Sequence, residues 1–275
     1  MSTSDDKARD GAGKGPGASV KQLLDLKDRV ALITGGSRGL GLAMAEALGD
    51  MGARIAITAR KADELESAVK QLRKRGIEAE SFVNNLAKFE TLGPMVSSVI
   101  QKLGPIDILI NNAGTTWGAA MEEHPLEGWQ KVVDLNLTGT FRITQEVGVQ
   151  SMIPRQYGRI VNIASVAGLQ GAHPDVMKAI AYQTTKGGLV NFTRALAAEW
   201  GRHHIVVNAI CPGFIVTQMS RGILSKIEER VKANTPLRQI GLEQDMQGLV
   251  VLLAGEGARH ITGQIIAVDG GSSVI

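Results

Sequence analysis

The stretch Arg29-Val30-Ala31-Leu32-Ile33-Thr34-Gly35-Gly36-Ser37-Arg38-Gly39-Leu40-Gly41-Leu42-Ala43-Met44-Ala45-Glu46-Ala47-Leu48 decides the fold. Its first six residues read as a short apolar strand and its last seven as a helix. Between them lies a glycine turn. Glycines let backbone approach an anion closely, and a helix N-terminus adds free N–H groups and positive dipole. The segment therefore predicts a strand–turn–helix that cradles a pyrophosphate. Its spacing is Gly-x-x-x-Gly-x-Gly, unlike the commoner dinucleotide fingerprint Gly-x-Gly-x-x-Gly.

The next strand, Arg54-Ile55-Ala56-Ile57-Thr58, ends in Ala59-Arg60-Lys61. An acid at that end would hold the ribose 2′-hydroxyl of NAD. Cations stand there instead, and Arg38 lies in the glycine loop. This arrangement suits a 2′-phosphate and predicts NADP(H) in preference to NAD(H).

Further along, Ala179–Trp200 reads as a helix containing Tyr182-Gln183-Thr184-Thr185-Lys186. Residues four apart share a helix face, so the phenol and the ammonium should enter one pocket. A free tyrosine titrates near ~10. A neighbouring cation favours the phenolate and would bring it toward the working range of an acid–base catalyst.

Later strands are expected at Gly76–Asn84, Asp107–Asn111, Arg159–Ala164, Ile205–Ile210 and Gln264–Val268, alternating with helices. Such alternation implies an α/β Rossmann-type, doubly wound parallel sheet in a single domain. Residues 1–25 read as a flexible extension, polar and without a signal-type apolar run, and residues 26–275 as the domain. A length of 275 residues can bury a substantial core. The net charge of +3 is mixed along the chain, not clustered, which argues against nucleic acid as a partner. No apolar stretch approaches the ~20 residues of a membrane span. The single Cys211 suits a reducing, cytoplasmic setting. His124, His173, His203, His204 and His260 lack metal-ligand spacing, so no metal is expected.

With these motifs in place, the chain resembles the short-chain dehydrogenases/reductases from about Leu26 to Ile275. The resemblance rests on Thr34-Gly35-x-x-x-Gly39-x-Gly41, Asn111-Asn112-Ala113-Gly114, Asp134-Leu135-Asn136-Leu137-Thr138-Gly139, Ile163-Ala164-Ser165, Tyr182-x-x-x-Lys186 and Pro212-Gly213, all in family order. It implies roles. Tyr182 would be the acid–base, and Ser165 would hold and polarise the substrate carbonyl. Lys186 would bind the nicotinamide ribose and lower the tyrosine pKa, while Asn136 would anchor a water in the proton relay. The cofactor would be held by Gly35, Ser37, Arg38, Gly39, Leu40, Gly41, Arg60, Asn85, Leu86, Asn112, Ala113, Gly114, Tyr182, Lys186, Pro212, Gly213, Ile215 and Thr217.

Two departures from the family pattern stand out. Asn85 in Val83-Asn84-Asn85-Leu86 replaces an aspartate that in many relatives holds the adenine amino group; its amide still offers an acceptor. The loop Gly171-Ala172-His173-Pro174-Asp175-Val176-Met177-Lys178 is longer than in many members and is expected beside the substrate pocket.

The resemblance implies an oxidoreductase that reduces a ketone or 3-oxo group to a secondary alcohol, reversibly. Gluconate 5-dehydrogenase-like and 3-oxoacyl-thioester reductase-like members come close in pattern, over Asn111–Ala119 and Ala179–Trp200. Trp117 is expected to wall the substrate site with Ser165 and Tyr182. Met219, Ile223 and Leu224 in the lid segment Phe214–Arg230 suit a hydrophobic ketone, whereas Arg221 could meet a carboxylate. An acyl-carrier partner would require a basic patch, for which Arg155, Arg159 and Arg221 are candidates. A non-catalytic NADP-binding protein is disfavoured by the intact Ser165, Tyr182 and Lys186. A homotetramer is implied by the resemblance, with paired long helices and Val268-Asp269-Gly270-Gly271 at interfaces. The unusually apolar Gly187–Trp200 stretch agrees with this.

Overall fold

The structure, a computed structural model, describes residues 17–171, 176–218 and 220–275. Residues 1–16, Ala172-His173-Pro174-Asp175 and Met219, together with the side chain of Ile223, lie outside the described residues. The readings of the first sixteen residues of the extension, of His173, and of Met219 and Ile223 as pocket residues fall there.

Seven strands form one parallel sheet: β1 Val30–Thr34, β2 Arg54–Ala59, β3 Ala79–Val83, β4 Ile108–Asn111, β5 Gly158–Ile163, β6 Ile205–Pro212 and β7 Ile265–Val268. Their spatial order is β3-β2-β1-β4-β5-β6-β7. The helices are α1 Val20–Leu24, α2 Gly39–Asp50, α3 Ala62–Lys74, α4 Leu92–Leu103, α5 Leu126–Val133, α6 Thr140–Val147, α7 Ile153–Arg155, α8 Ile180–Trp200, α9 Arg221–Ala233 and α10 Gln247–Ala254.

The central strands are near-continuous apolar runs because both faces of a parallel sheet are covered. Every residue of β1, β4, β5 and β6 is buried. Two apolar clusters, one on each face, sandwich the sheet. Helix α3 shows the local logic. Leu65, Ala68, Val69 and Leu72 recur at helical spacing and are buried. Acids fill its first turn and bases its last, each where the helix dipole favours it.

The expected third strand starts three residues late. Gly76 takes a positive φ of 80° and closes α3, with Gly76 N donating to Arg73 O and Ile77 N to Leu72 O. Gly76 and Ile77 serve the helix end, while Glu78 O accepts from Ile55 N of β2 at 2.8 Å. At the N-terminus, part of the stretch read as extension is built into the fold. Ser19 and Gln22 form a reciprocal cap for α1, and Leu24 packs on the core.

The strand order reverses direction between β1 and β4. A crevice opens there at the strand carboxyl ends, the usual ligand position in such sheets.

Candidate active site

The crevice is a cleft of about 780 Å³. At one end is the glycine turn after β1. Gly35 and Gly39 have positive φ (64° and 57°). A Cβ on Gly41 would stand 2.2 Å from Gly35 O and 2.6 Å from Asn112 Nδ2. Gly41 has no room for a side chain and Gly35, whose Cβ would stand 3.0 Å from Ala113 Cα, has almost none, so the turn stays close to the backbone after β4. Asn112 fixes that closeness, donating from Nδ2 to Thr34 O (2.9 Å) and Gly35 O (3.1 Å). Thr34 Oγ1 accepts from Asn112 N and Ala113 N, each at 3.0 Å. No side chain caps the N-terminus of α2 at Arg38, so its first N–H groups can meet an anion. Thr58 Oγ1 and Asn84 Oδ1 are buried, have no hydrogen-bond partner among the described residues, and belong to residues lining this cleft. Asn85, the expected adenine acceptor, spends its Oδ1 on Ala87 N at 3.2 Å. These residues fit a dinucleotide carrying a pyrophosphate.

At the other end stand Ser165, Tyr182 and Lys186. Ser165 follows β5; its Oγ accepts from Ala167 N at 3.1 Å, which fixes the rotamer. Tyr182 and Lys186 lie one turn apart on α8 and face the same space, Lys186 Nζ being 5.6 Å from the phenol ring centre. Lys186 Nζ donates to Ile163 O at 2.6 Å. Burial lowers the Lys186 ammonium to about 8, with the Cys211 thiol working the other way. Burial likewise pushes the Tyr182 phenol up, more strongly than the hydrogen bond with Ser165 pulls it down. The expected lowering of the phenol by Lys186 is therefore not the direction found. A lysine whose own charge is weakened by the same burial gives little help against desolvation.

Asn136 sits behind this group in a π-wound segment, Asp134–Gly139, joining α5 to α6. Its Oδ1 accepts from Thr115 N (2.8 Å), and Nδ2 donates to Thr115 O (2.9 Å) and Thr185 Oγ1 (3.1 Å). Asn136 is fully buried and does not line the cleft; it braces the wall that carries Gly114 and α8.

All the sequence-predicted cofactor residues line this cleft, including Pro212, Gly213, Ile215 and Thr217 beyond β6. Trp117 does not. Its indole lies on Gly128 of α5, where an added Cβ would come within 2.7 Å, and Lys131 Nζ sits 5.1 Å from its ring. The side-chain-free face of Gly128 draws the ring onto α5, a pairing that local sequence does not signal. Leu224 is buried and, like Arg221, absent from the cleft wall; Arg230 of α9 and Lys178 line it instead. Arg155 and Arg159 are at the amino ends of the strands, away from the carboxyl-end cleft, paired with Asp107 (2.7 Å) and Glu256 (3.1 Å) respectively. They form no basic patch at the cleft.

Sequence reasoning missed an acid beside the glycine turn. Glu64, in the first turn of α3, lines the cleft among the expected phosphate-reading cations. Its Oε1 lies 3.0 Å from Arg38 Nη1 and 2.8 Å from Lys61 Nζ, and Oε2 accepts from Ser37 Oγ at 3.3 Å. Among the described residues no cluster of three or more His, Cys, Asp or Glu could hold a metal ion, and no helix is long and apolar enough to cross a membrane.

Comparison with known proteins agrees with this geometry. The chain is 36% identical over 249 residues to a 3-oxoacyl-(acyl-carrier-protein) reductase of Aquifex aeolicus, covering 90% of this chain and 98% of that one. It is 34% identical over 258 residues to the gluconate 5-dehydrogenase of Gluconobacter oxydans, covering 93% and 99%. A gluconate 5-dehydrogenase of Burkholderia cenocepacia, solved in complex with NADP and tartrate, superposes with a TM-score of 0.88 at 29% identity, covering 94% of this chain and all of that one. Residues 29–228 match the short chain dehydrogenase family, and the chain belongs to that family of NAD(P)-dependent oxidoreductases acting on alcohol and carbonyl groups.

Proposed function

We propose that this protein uses NADP(H) in preference to NAD(H) to reduce a ketone or 3-oxo group to a secondary alcohol, reversibly. The observation that carries the reading is the convergence of Ser165, Tyr182 and Lys186 at one end of a cleft whose other end is the glycine turn. Gly35 to Gly41 and the N-terminus of α2 would hold the pyrophosphate, and Arg38, Arg60 and Lys61 would read the 2′-phosphate. Bound there, NADP(H) supplies or takes up the hydride. Tyr182 gives its phenolic proton to the substrate oxygen as C=O becomes C–OH, and takes it back in the reverse direction. Ser165 donates a hydrogen bond to the same oxygen. Lys186 supplies positive charge within the tyrosine's pocket. Asn136 keeps α8 in register with the Gly114 wall through Thr185 and Thr115.

A second substrate reading, a hydroxy or keto acid, is supported by Lys178, Arg230, Asn234 and Gln239 in the cleft wall; cations there suit a carboxylate. Val176, Met177 and Phe214 in the same wall suit the apolar ketone. For assembly we propose a homotetramer. Phe141 of α6, Val149 in the turn that follows it, and Val274 and Ile275 at the chain end are all exposed.

The test is a panel of ketones, β-keto thioesters and keto-sugar acids with NADPH and NADH. Tyr182→Phe should retain nucleotide affinity and lose about 10²–10⁴-fold in turnover, as expected for loss of a general acid. Turnover within a few fold of the wild type would remove Tyr182 from the chemistry.

A further inference from the structure

Glu64 is a carboxylate placed in the middle of the donors that the proposed function gives to a phosphate. Its two oxygens engage Arg38 (3.0 Å), Lys61 (2.8 Å) and Ser37 (3.3 Å). The shared chemistry is plain: an anion with oxygen acceptors, met by two cations and a hydroxyl. Arg60 lines the same corner and has no ion pair with a carboxylate among the described residues. A 2′-phosphate brought to these donors meets a carboxylate already using them, and like charges at that distance repel. A 2′-hydroxyl has the opposite relation to Glu64, because it can donate to the carboxylate.

We propose that Glu64 is a tethered stand-in for the 2′-phosphate, which must displace it, so that this residue sets how strongly the cleft discriminates NADP(H) from NAD(H). The inference rests on the reading of Arg38, Lys61 and Arg60 as the phosphate corner. It assigns to Glu64 an action of opposite sign to theirs: the cations attract the 2′-phosphate and Glu64 holds it off. Glu64 does not touch the reacting atoms; it acts through Arg38, Lys61 and Ser37.

The experiment measures binding alone. Adenosine 2′,5′-bisphosphate and 5′-AMP are titrated by calorimetry into the wild-type chain, Glu64→Gln, Glu64→Ala and Arg38→Ser. Freed of two partly exposed ion pairs, Glu64→Gln should bind the bisphosphate about three- to tenfold more tightly and bind 5′-AMP no better than the wild type. Glu64→Ala should move the same way, and Arg38→Ser should weaken the bisphosphate. If both Glu64 variants leave bisphosphate affinity unchanged or weaken it while Arg38→Ser still weakens it, the stand-in role is wrong and the phosphate corner survives. If Arg38→Ser has no effect either, the reading of the corner itself fails, and the proposal with it. Glu64 is on the rim of α3, and matching circular dichroism spectra confirm that the variants remain folded.

Discussion

Replacing Lys186 with methionine should abolish turnover and yet stabilise the protein at neutral pH. The side chain is buried beneath the tyrosine, and burial brings its ammonium from 10.5 to about 8. At about 1.4 kcal/mol per pH unit, the fold gives up ~3 kcal/mol to hold that charge when it is protonated. Methionine has similar length and no charge. It also loses the hydrogen bond to Ile163 O, which costs about 1 kcal/mol. The net gain is ~2 kcal/mol, or about 4 °C in Tm for a chain of this size. The sign with pH follows from linkage. Below pH 8 both folded and unfolded lysine carry the proton, and the cost is full. Between pH 8 and 10.5 the unfolded chain keeps a proton that the folded one has released, so wild-type stability rises with pH. Above 10.5 the cost is gone. Differential scanning calorimetry of both proteins, without added nucleotide, from pH 6.5 to 11 tests this. The methionine advantage should be largest near pH 7 and shrink through the 8 to 10.5 window. A variant less stable than wild type at pH 7, or an advantage that ignores pH, would refute the argument that burial sets this lysine's charge.

Two other outcomes are expected. Tyr157 donates to Glu256 Oε1 at 2.9 Å and lies between Arg29 and Arg159, 4.2 and 4.6 Å from its ring centre. Tyr157→Phe should lower stability by about 1 kcal/mol in urea titrations and leave catalytic constants unaltered, since this cluster is at the amino ends of the strands, away from the cleft. Light scattering should give a mass about four times the 29.2 kDa chain; a fully active monomer would overturn the proposed assembly, which rests on the exposed Phe141, Val149, Val274 and Ile275.

What was legible in the sequence was local. The glycine turn is written in consecutive residues, and the structure requires glycine at 35 and 41 for reasons visible in the motif: backbone against backbone. The strands were legible because a doubly covered strand is apolar throughout. The Tyr182–Lys186 pair was legible because helical spacing alone puts both side chains on one face. The failures share a different cause. Trp117 packs on Gly128, Arg159 pairs with Glu256 nearly a hundred residues on, and Glu64 reaches across from α3 to the turn after β1. Each depends on which elements the fold brings together, and a side chain's type says little about which neighbour it will find. The phenol's direction is a failure of magnitude: the sequence names the cation and not the depth of burial that outweighs it.

The distance between the two ends of the cleft is set by directional bonds, and this explains why so many buried residues around the site are polar. Apolar packing fixes how close two elements come but tolerates sliding along their contact. Hydrogen bonds do not tolerate such sliding. Asn111 of β4 donates to Asn162 Oδ1 of β5 and Thr144 Oγ1 of α6, and Asn162 donates to Thr193 Oγ1 of α8, all at 2.9 Å. Asn136 donates to Thr185 Oγ1 of the same helix. Thr185 and Thr193 are therefore two pins, about two turns apart, that lock α8, the first to the segment between α5 and α6 and the second to β5. Tyr182 and Lys186 are one turn or less from the first pin. At the other end, Asn112 follows Asn111 directly and ties the glycine turn to the same strand end. The carboxyl end of β4, Asn111 with Asn112 after it, thus carries the register of both halves. Left without an acceptor, each of these amide donors would cost about 1–3 kcal/mol. Paired, they hold the phenol at a fixed reach from the turn, and hydride and proton transfer to one substrate need that fixed reach.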